Sequence, residues 1–417
     1  MAAGVALAMD GGLLYQLRLG QQTLDLTAKT DLSLSEPRAL TEADRAAAER
    51  AWRYIQTNTR PETGWVDTVR GFPSSTLWDQ GSYVFALVAA ERLGIINSEE
   101  FQSRVEQLLG SFEKLPLFEG KLPNKAYNTQ TLEMVDYSNK PVPEGIGWSA
   151  LDVARMLMAF RALEKLNPDY GDRIRSLLAR WDLPAMAANG ELQGALREDG
   201  NTVYKQEGRL GYEQYGARSA ALWGMDVLQA VSSQRMLDWV NLGGVEVPTD
   251  LRRADTFRAI TPILSEPYIL QGIELGLDSE NRIMAERVYL AQEARYRETG
   301  ILTAVSEDHI NQPPHFLYSS VYSNGEAWAV VTEQGDFHPE LRTISVKASF
   351  SWDALYDTDY TNLLRAQVED IGDPSKGWPS GIYEADGSVN DIYTLNTNAI
   401  VLEAIHYIAH GPLWHLR

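Results

Sequence analysis

No cysteine occurs in the 417 residues. Disulfides, thiolate-bound zinc, iron–sulfur clusters and a cysteine nucleophile are therefore excluded. Histidine is scarce too, with six residues. Only His406 and His410 stand four apart, and no acidic motif accompanies them, so the pattern offers no metal site. Basic residues are outnumbered, 37 Lys and Arg against 57 Asp and Glu, for a formal charge of −20. Such a chain lacks the basic face that nucleic acid or an anionic membrane surface requires. No stretch of eighteen consecutive apolar residues is present, so no segment reads as a transmembrane helix. A Gly-x-Ser-x-Gly elbow, a phosphate-binding loop, a dinucleotide fingerprint and an EF-hand loop are all missing. No cofactor is implied.

What is present is ordinary globular material, 44% hydrophobic and 23% charged, which excludes a disordered chain. Aromatic residues stand out: eleven Trp, nineteen Tyr and ten Phe. They suit either a large aromatic core or a carbohydrate cleft in which flat rings stack on sugar faces. Near the start, residues 2–8 are small and apolar, and Ala6-Leu7-Ala8 resembles a signal-peptidase site. The expectation is export, to the periplasm or outside the cell.

The dominant pattern is helical. Helices are predicted over 41–59, 79–93, 98–112, 147–166, 168–182, 211–230, 262–275, 279–296, 340–356 and 394–409. Two kinds alternate. One kind is apolar nearly all round, opens with small or aromatic residues such as Gly147-Trp148-Ser149, and must be buried on every side. The other kind is charged and amphipathic. Short Gly-rich segments at 63–66, 190–200, 299–302 and 377–383 read as strands or hairpins. Weak self-similarity every 60–70 residues or so, about six times over, fits an α-hairpin toroid. The fold expected is all-α: an (α/α)6 toroid over residues 41–417 with short β-hairpins on the cleft face, preceded by an N-terminal extension at 1–40.

In such a toroid a carboxylate near the start of an inner helix faces the central cavity. Asp79, Asp152 and Glu213 fit, and Glu144 and Glu207 lie in loops just before inner helices. Asp79 also suits a helix cap, and Glu213 suits the positive end of a helix dipole. Asp152 sits inside an apolar helix, one turn beyond Trp148, so it needs either an Arg partner, such as Arg155 or Arg218, or a catalytic role. Two carboxylates in an aromatic cavity are the minimum for glycoside cleavage: one protonates the leaving oxygen, and the other activates water or attacks the anomeric carbon. Candidate sugar-binding residues are Trp78, Trp148, Tyr212, Tyr215, Trp352, Trp378, Tyr383, Asn396 and Asn398. Asn396 and Asn398 also suit helix capping.

Three stretches carry a family resemblance: Trp78-Asp79-Gln80-Gly81-Ser82-Tyr83, Gly147-Trp148-Ser149-Ala150-Leu151-Asp152, and Asn396-Thr397-Asn398-Ala399 with the apolar run that follows. They resemble a bacterial family catalogued as a domain of unknown function and grouped with the six-hairpin glycosidases. The likeness covers roughly residues 40–415. More distantly, the chain is similar to glucoamylase-like β-1,2-glucanases, in which an inner helix carries an Asp and a later one starts Gly-Tyr-Asn-Glu. Asp152 falls at the first position. Glu213 lies near the second but one place early, with Gln214 and Tyr215 where the glucanases have small apolar residues. Glu207 stands as the rival acid. The resemblance implies a glycoside hydrolase or transglycosylase of a bacterial glucan or envelope polysaccharide. The alternative is a non-catalytic glycan-binding protein of a polysaccharide synthesis or export system.

Overall fold

The computed structural model describes residues 32–257 and 259–414. The stretch at residues 2–8 and the first thirty-one residues of the expected extension lie outside them. Residues 32–40 run along the helices, where the Ser35 amide donates to Leu355 O and the Arg38 amide to Ile408 O, both at 2.8 Å.

Twelve helices in chain order build the frame: α1 (Glu42–Asn58), α2 (Leu77–Arg92), α3 (Ser98–Phe112), α4 (Ala150–Leu166), α5 (Gly171–Leu178), α6 (Tyr212–Ala221), the single turn α7 (Leu228–Val231), α8 (Glu266–Leu270, continued by a π turn to Leu275), α9 (Ser279–Thr299), α10 (Val346–Tyr356), α11 (Asp359–Glu369) and α12 (Leu395–His410). The even-numbered ones pack on each other in cyclic order, α2 on α4, α4 on α6, α6 on α8, α8 on α10, α10 on α12, and α12 back on α2. The longer odd-numbered helices cover them: α1 and α3 lie on α2, α5 on α4, α9 on α8 and α11 on α10. The alternation of apolar and charged helices along the chain is thus an alternation of inner and outer position. One hydrophobic core runs through the frame from Ala47 to Leu413.

Several boundaries depart from expectation. The segment 211–230 breaks after Ala221, because Gly224 takes a positive φ of 78°. Trp148 belongs to a strand rather than to α4, whose cap is Ser149, so Trp148 and Asp152 do not share a helix face. Residues 299–302 form no strand, because α9 runs on to Thr299 and ends on Gly300 at φ 73°. The helix α11 was not anticipated.

The strands that matter for the site are β1 (Gly147–Trp148), the hairpin β2–β3 (Glu191–Glu198, Asn201–Gln206), the hairpin β4–β5 (Leu237–Leu242, Val245–Asp250), β6–β7 (Glu307–His309, Phe316–Ser319) with β8 (Val330–Val331), and β9–β10–β11 (Thr343–Ser345, Pro379–Tyr383, Val389–Tyr393). β1 pairs antiparallel with β2, Gly147 opposite Leu196. This ladder ties the entry of α4 to the hairpin that leads into α6. It demands glycine at 147: φ is +127° there, and a β-carbon would come within 2.0 Å of the Ala195 carbonyl oxygen. A Gly147→Ala substitution is expected to cost about 2–3 kcal/mol in chemical denaturation, whereas Gly120→Asn, at φ +68° with open space around it, stays close to the wild type.

Candidate active site

Residues at or near the starts of α2, α4, α6, α10 and α12 border one cavity of about 680 Å³: Thr76, Trp78 and Asp79, then Ser149 and Asp152, then Tyr212, Lys347, and Thr394 with Asn396. Glu207, just past β3, and Glu307, Asp308 and His309 of β6 complete its acidic part. Its size lies in the range of small-molecule sites.

The centre is a pair of carboxyls joined through one hydroxyl. Ser149 caps α4, and the Asp152 amide donates to its Oγ at 3.1 Å. The same Oγ lies 2.9 Å from Asp152 Oδ1 and 2.6 Å from Glu207 Oε1, while the Ala150 amide donates to Glu207 Oε2 at 2.6 Å. A hydroxyl has one proton to give. Both contacts are satisfied when a protonated Asp152 donates to Ser149 and Ser149 donates to an ionised Glu207. The electrostatics agree: burial and the Glu207 charge push the Asp152 carboxyl up to about 7. Burial raises Glu207 as well, but the Ser149 hydroxyl and the Ala150 amide hold it back. Shifting two protons along this chain moves the acid function from Asp152 to Glu207 without changing the net charge. Gly194 makes room for it, since a β-carbon there would meet Glu207 Oε2 at 2.3 Å.

Asp79 occupies the same place in α2 as Asp152 does in α4. Thr76 is the cap, and the Thr76 and Thr68 hydroxyls donate to Asp79 Oδ2 at 2.7 and 2.8 Å. Burial raises its carboxyl and these two bonds work against that. A second acidic group centres on Lys347, which is paired with Glu266 and lies 3.5 Å from Asp308 Oδ1. Asn396 Nδ2 donates to Glu266 Oε1 at 2.9 Å. Next to them, burial and the Glu266 charge push Glu307 up to about 8. Burial and the Lys347 charge lower His309 to about 4, leaving it neutral.

Beneath the cavity the ring is filled by a buried ionic cluster. Arg155 pairs with Glu274 at 2.7 Å and lies 3.6 Å from Glu403, all three fully buried. Its guanidinium sits 4.7 Å over the Trp78 ring. Trp78 in turn meets Tyr212 edge-on at 5.5 Å.

The structure therefore brings together Asp79, Asp152, Glu207, Trp78, Tyr212 and Asn396. The other expected residues lie outside the cavity lining, each for a physical reason. Glu213 is fully buried and paired with Arg252 at 2.7 Å, which itself binds Asp250. Glu144 is exposed on a turn. Trp148 is packed between Phe118 and Tyr204, its indole N–H on Gln193 O. Tyr215 donates to Glu274 in the ionic cluster. Trp352 stacks on Tyr356 and donates to Ser265. Trp378 lies under Arg50 and donates to Ala47 O. Tyr383 donates to Asn311. Asn398 bonds both the amide and the carbonyl of Trp378. The Arg partners expected for Asp152 are likewise engaged elsewhere, Arg155 as above and Arg218 with Asp278 and Gln271.

The profile of a family described as proteins of unknown function, DUF3131, matches residues 46–411. The chain belongs to the DUF3131 family. Among solved structures it is similar to a Bacteroides fragilis protein that carries a provisional glucoamylase name (TM-score 0.65, 14% identity, 91% of this chain and 94% of that one). It is also similar to the endo-β-1,2-glucanase of Chitinophaga pinensis (0.61, 14%, 90% and 94%) and that of Talaromyces funiculosus (0.58, 13%, 87% and 83%). At these identities the likeness is one of fold, and the fold is shared with glycoside hydrolases. No curated protein matches the chain in sequence. Among the described residues no helix is long and apolar enough to cross a membrane.

Glu307, Asp308, His309 and Lys347 were not singled out beforehand. A signal existed for three of them. Lys347 stands inside an apolar helix, the criterion that exposed Asp152, and Glu307-Asp308 interrupt an apolar stretch.

Two measurements test these assignments. Asp152 has a folded pKa near 7 against about 3.9 unfolded, so the folded state loses stability as pH rises from 4 to 7. Asp152→Asn removes that loss: its melting temperature should exceed the wild type's at pH 8 and match it below pH 4. Burial pushes the Glu213 carboxyl up to about 7 as well, against the pull of Arg252, so Glu213→Gln should also flatten part of the loss between pH 4 and 7, while the part that Asp152 imposes is retained.

Proposed function

We propose that this protein is a glycoside hydrolase or transglycosylase acting on a bacterial glucan or envelope polysaccharide, with residues 41–417 forming an (α/α)6 toroid whose strands rim the cleft. A substrate of that kind puts it in the periplasm or outside the cell. The observation that carries the reading is the Asp152–Ser149–Glu207 chain opening into the cavity. A carboxyl that stays protonated near neutrality is what protonation of a glycosidic oxygen needs. Asp152 is the general acid and Glu207 its ionised partner. Asp79, the other carboxylate presented by an inner helix, activates the water or the acceptor hydroxyl, its Oδ2 fixed by two threonines. Trp78, Tyr212 and Asn396 hold the sugar, the rings against its apolar faces. Support for the substrate class comes from the fold shared with enzymes named as β-1,2-glucanases.

The test is incubation with α- and β-glucans, linear and cyclic, followed by analysis of reducing ends and chain length. The wild type should give product at pH 6 and lose activity as pH passes about 7, where Asp152 ionises. Asp152→Asn and Glu207→Gln should each lower kcat by at least about a hundredfold while remaining folded. Retention of glycan in a gel without product from the wild type would instead favour the non-catalytic binding protein.

A further inference from the structure

Two aromatic rings on the cavity border are left in water. Tyr137 is 65 % exposed and Phe72 38 % exposed, and both line the cavity. Exposed apolar side chains scattered singly need no explanation, but these two share one opening. Both stand on hydrogen-bonded turns. Tyr137 sits on a turn in which Asp136 Oδ1 accepts the amides of Ser138 and Lys140 at 2.8 and 2.9 Å, with Asn139 at φ 60°. Phe72 follows Gly71 at φ 80°, its amide donating to Val69 O at 3.0 Å. Half-buried Tyr318 of β7 lines the same cavity and lies within electrostatic reach of both Tyr137 and Tyr212. Tyr212 meets Trp78 on the cavity floor. These five aromatic rings thus line one cavity, the two most exposed of them at its border.

We infer that Tyr137, Tyr318, Tyr212 and Trp78 form a stacking track for a glycan chain, with Tyr137 and Phe72 as its outer subsite, so that the preferred substrate is a polymer extending beyond the cavity rather than a short oligosaccharide. A flat ring meets the apolar face of a pyranose without needing a specific hydroxyl, which suits it to grip successive units of a chain. Presentation on a hydrogen-bonded turn lowers the ordering cost. This inference rests on the glycan-active reading above and adds chain length to it.

The experiment compares wild type, Tyr137→Ala, Tyr137→Phe and the Tyr137→Ala/Phe72→Ala double variant on linear β-1,2-glucan and on sophorotriose. Losing one stacked ring should raise KM on the polymer about three- to tenfold more than on the trisaccharide. The double variant should lose more, and Tyr137→Phe, which keeps the ring, should recover most of the loss. A melting temperature close to the wild type's confirms folding, since the residue is at the surface. Equal losses on both substrates, or none on the polymer, would overturn the track and leave the glycosidase reading standing. If the wild type cleaves neither substrate, retardation in gels containing the polymer decides. Weaker retardation of Tyr137→Ala supports the track although catalysis has failed, and retardation equal to the wild type's, or none in either protein, overturns it.

Discussion

A side-chain hydroxyl that accepts the amide of the residue three positions on is the interaction on which this site depends. Thr76, Ser149 and Thr394 each make it at the head of a ring helix. It supplies a partner for an amide that a helix start leaves bare, and it fixes whatever stands at the third position. In α2 and α4 that residue is an aspartate. Because these helix starts border one cavity, a local capping rule repeated along the chain becomes a convergent set of acidic groups. The positive ends of the helices favour their charged form, and burial favours the neutral one. Where a second carboxyl joins the same hydroxyl, as Glu207 does at Ser149, the balance tips to one shared proton.

The ionic cluster under the cavity has a different task. Arg155, Glu274 and Glu403 come from three different ring helices and are wholly enclosed. Enclosed charges of this kind add little net stability compared with aliphatic packing, yet losing one partner is severe. Their geometric effect is plainer: the Arg155 guanidinium lies against the Trp78 ring and so supports the cavity floor.

The frame was legible in the sequence because its signals are local. Caps, all-round apolar helices and Gly stops lie within a few residues of what they specify, so α1, α2, α3, α4 and α12 fall within three residues of expectation at each end. Asp152 was legible because a carboxyl in an apolar helix contradicts its surroundings. Glu213 was misplaced for a long-range reason. Its partner Arg252 follows a hairpin some forty residues downstream, and nothing near Glu213 announces that pairing. Glu207 won its position through the β1–β2 ladder, which is equally invisible from either strand alone. Of the aromatic candidates, Trp148, Tyr215, Trp352, Trp378 and Tyr383 each have the ring N–H or O–H engaged by a partner away from the cavity. That depends on neighbours remote in sequence, as with Trp378 and Ala47.

The seam between α2 and α12 joins elements about three hundred residues apart. The ring has no closed perimeter until that last helix docks, and Arg155 lacks its Glu403 contact until then. Long-range closure of this sort is slow relative to helix formation, so a growing chain carries five ring helices with an open flank before the sixth arrives. The chain as a whole carries a formal charge of −20, and that like charge is what such an incomplete ring would show to its neighbours. That repulsion holds copies of the half-made ring apart during the interval when its apolar interior is most accessible.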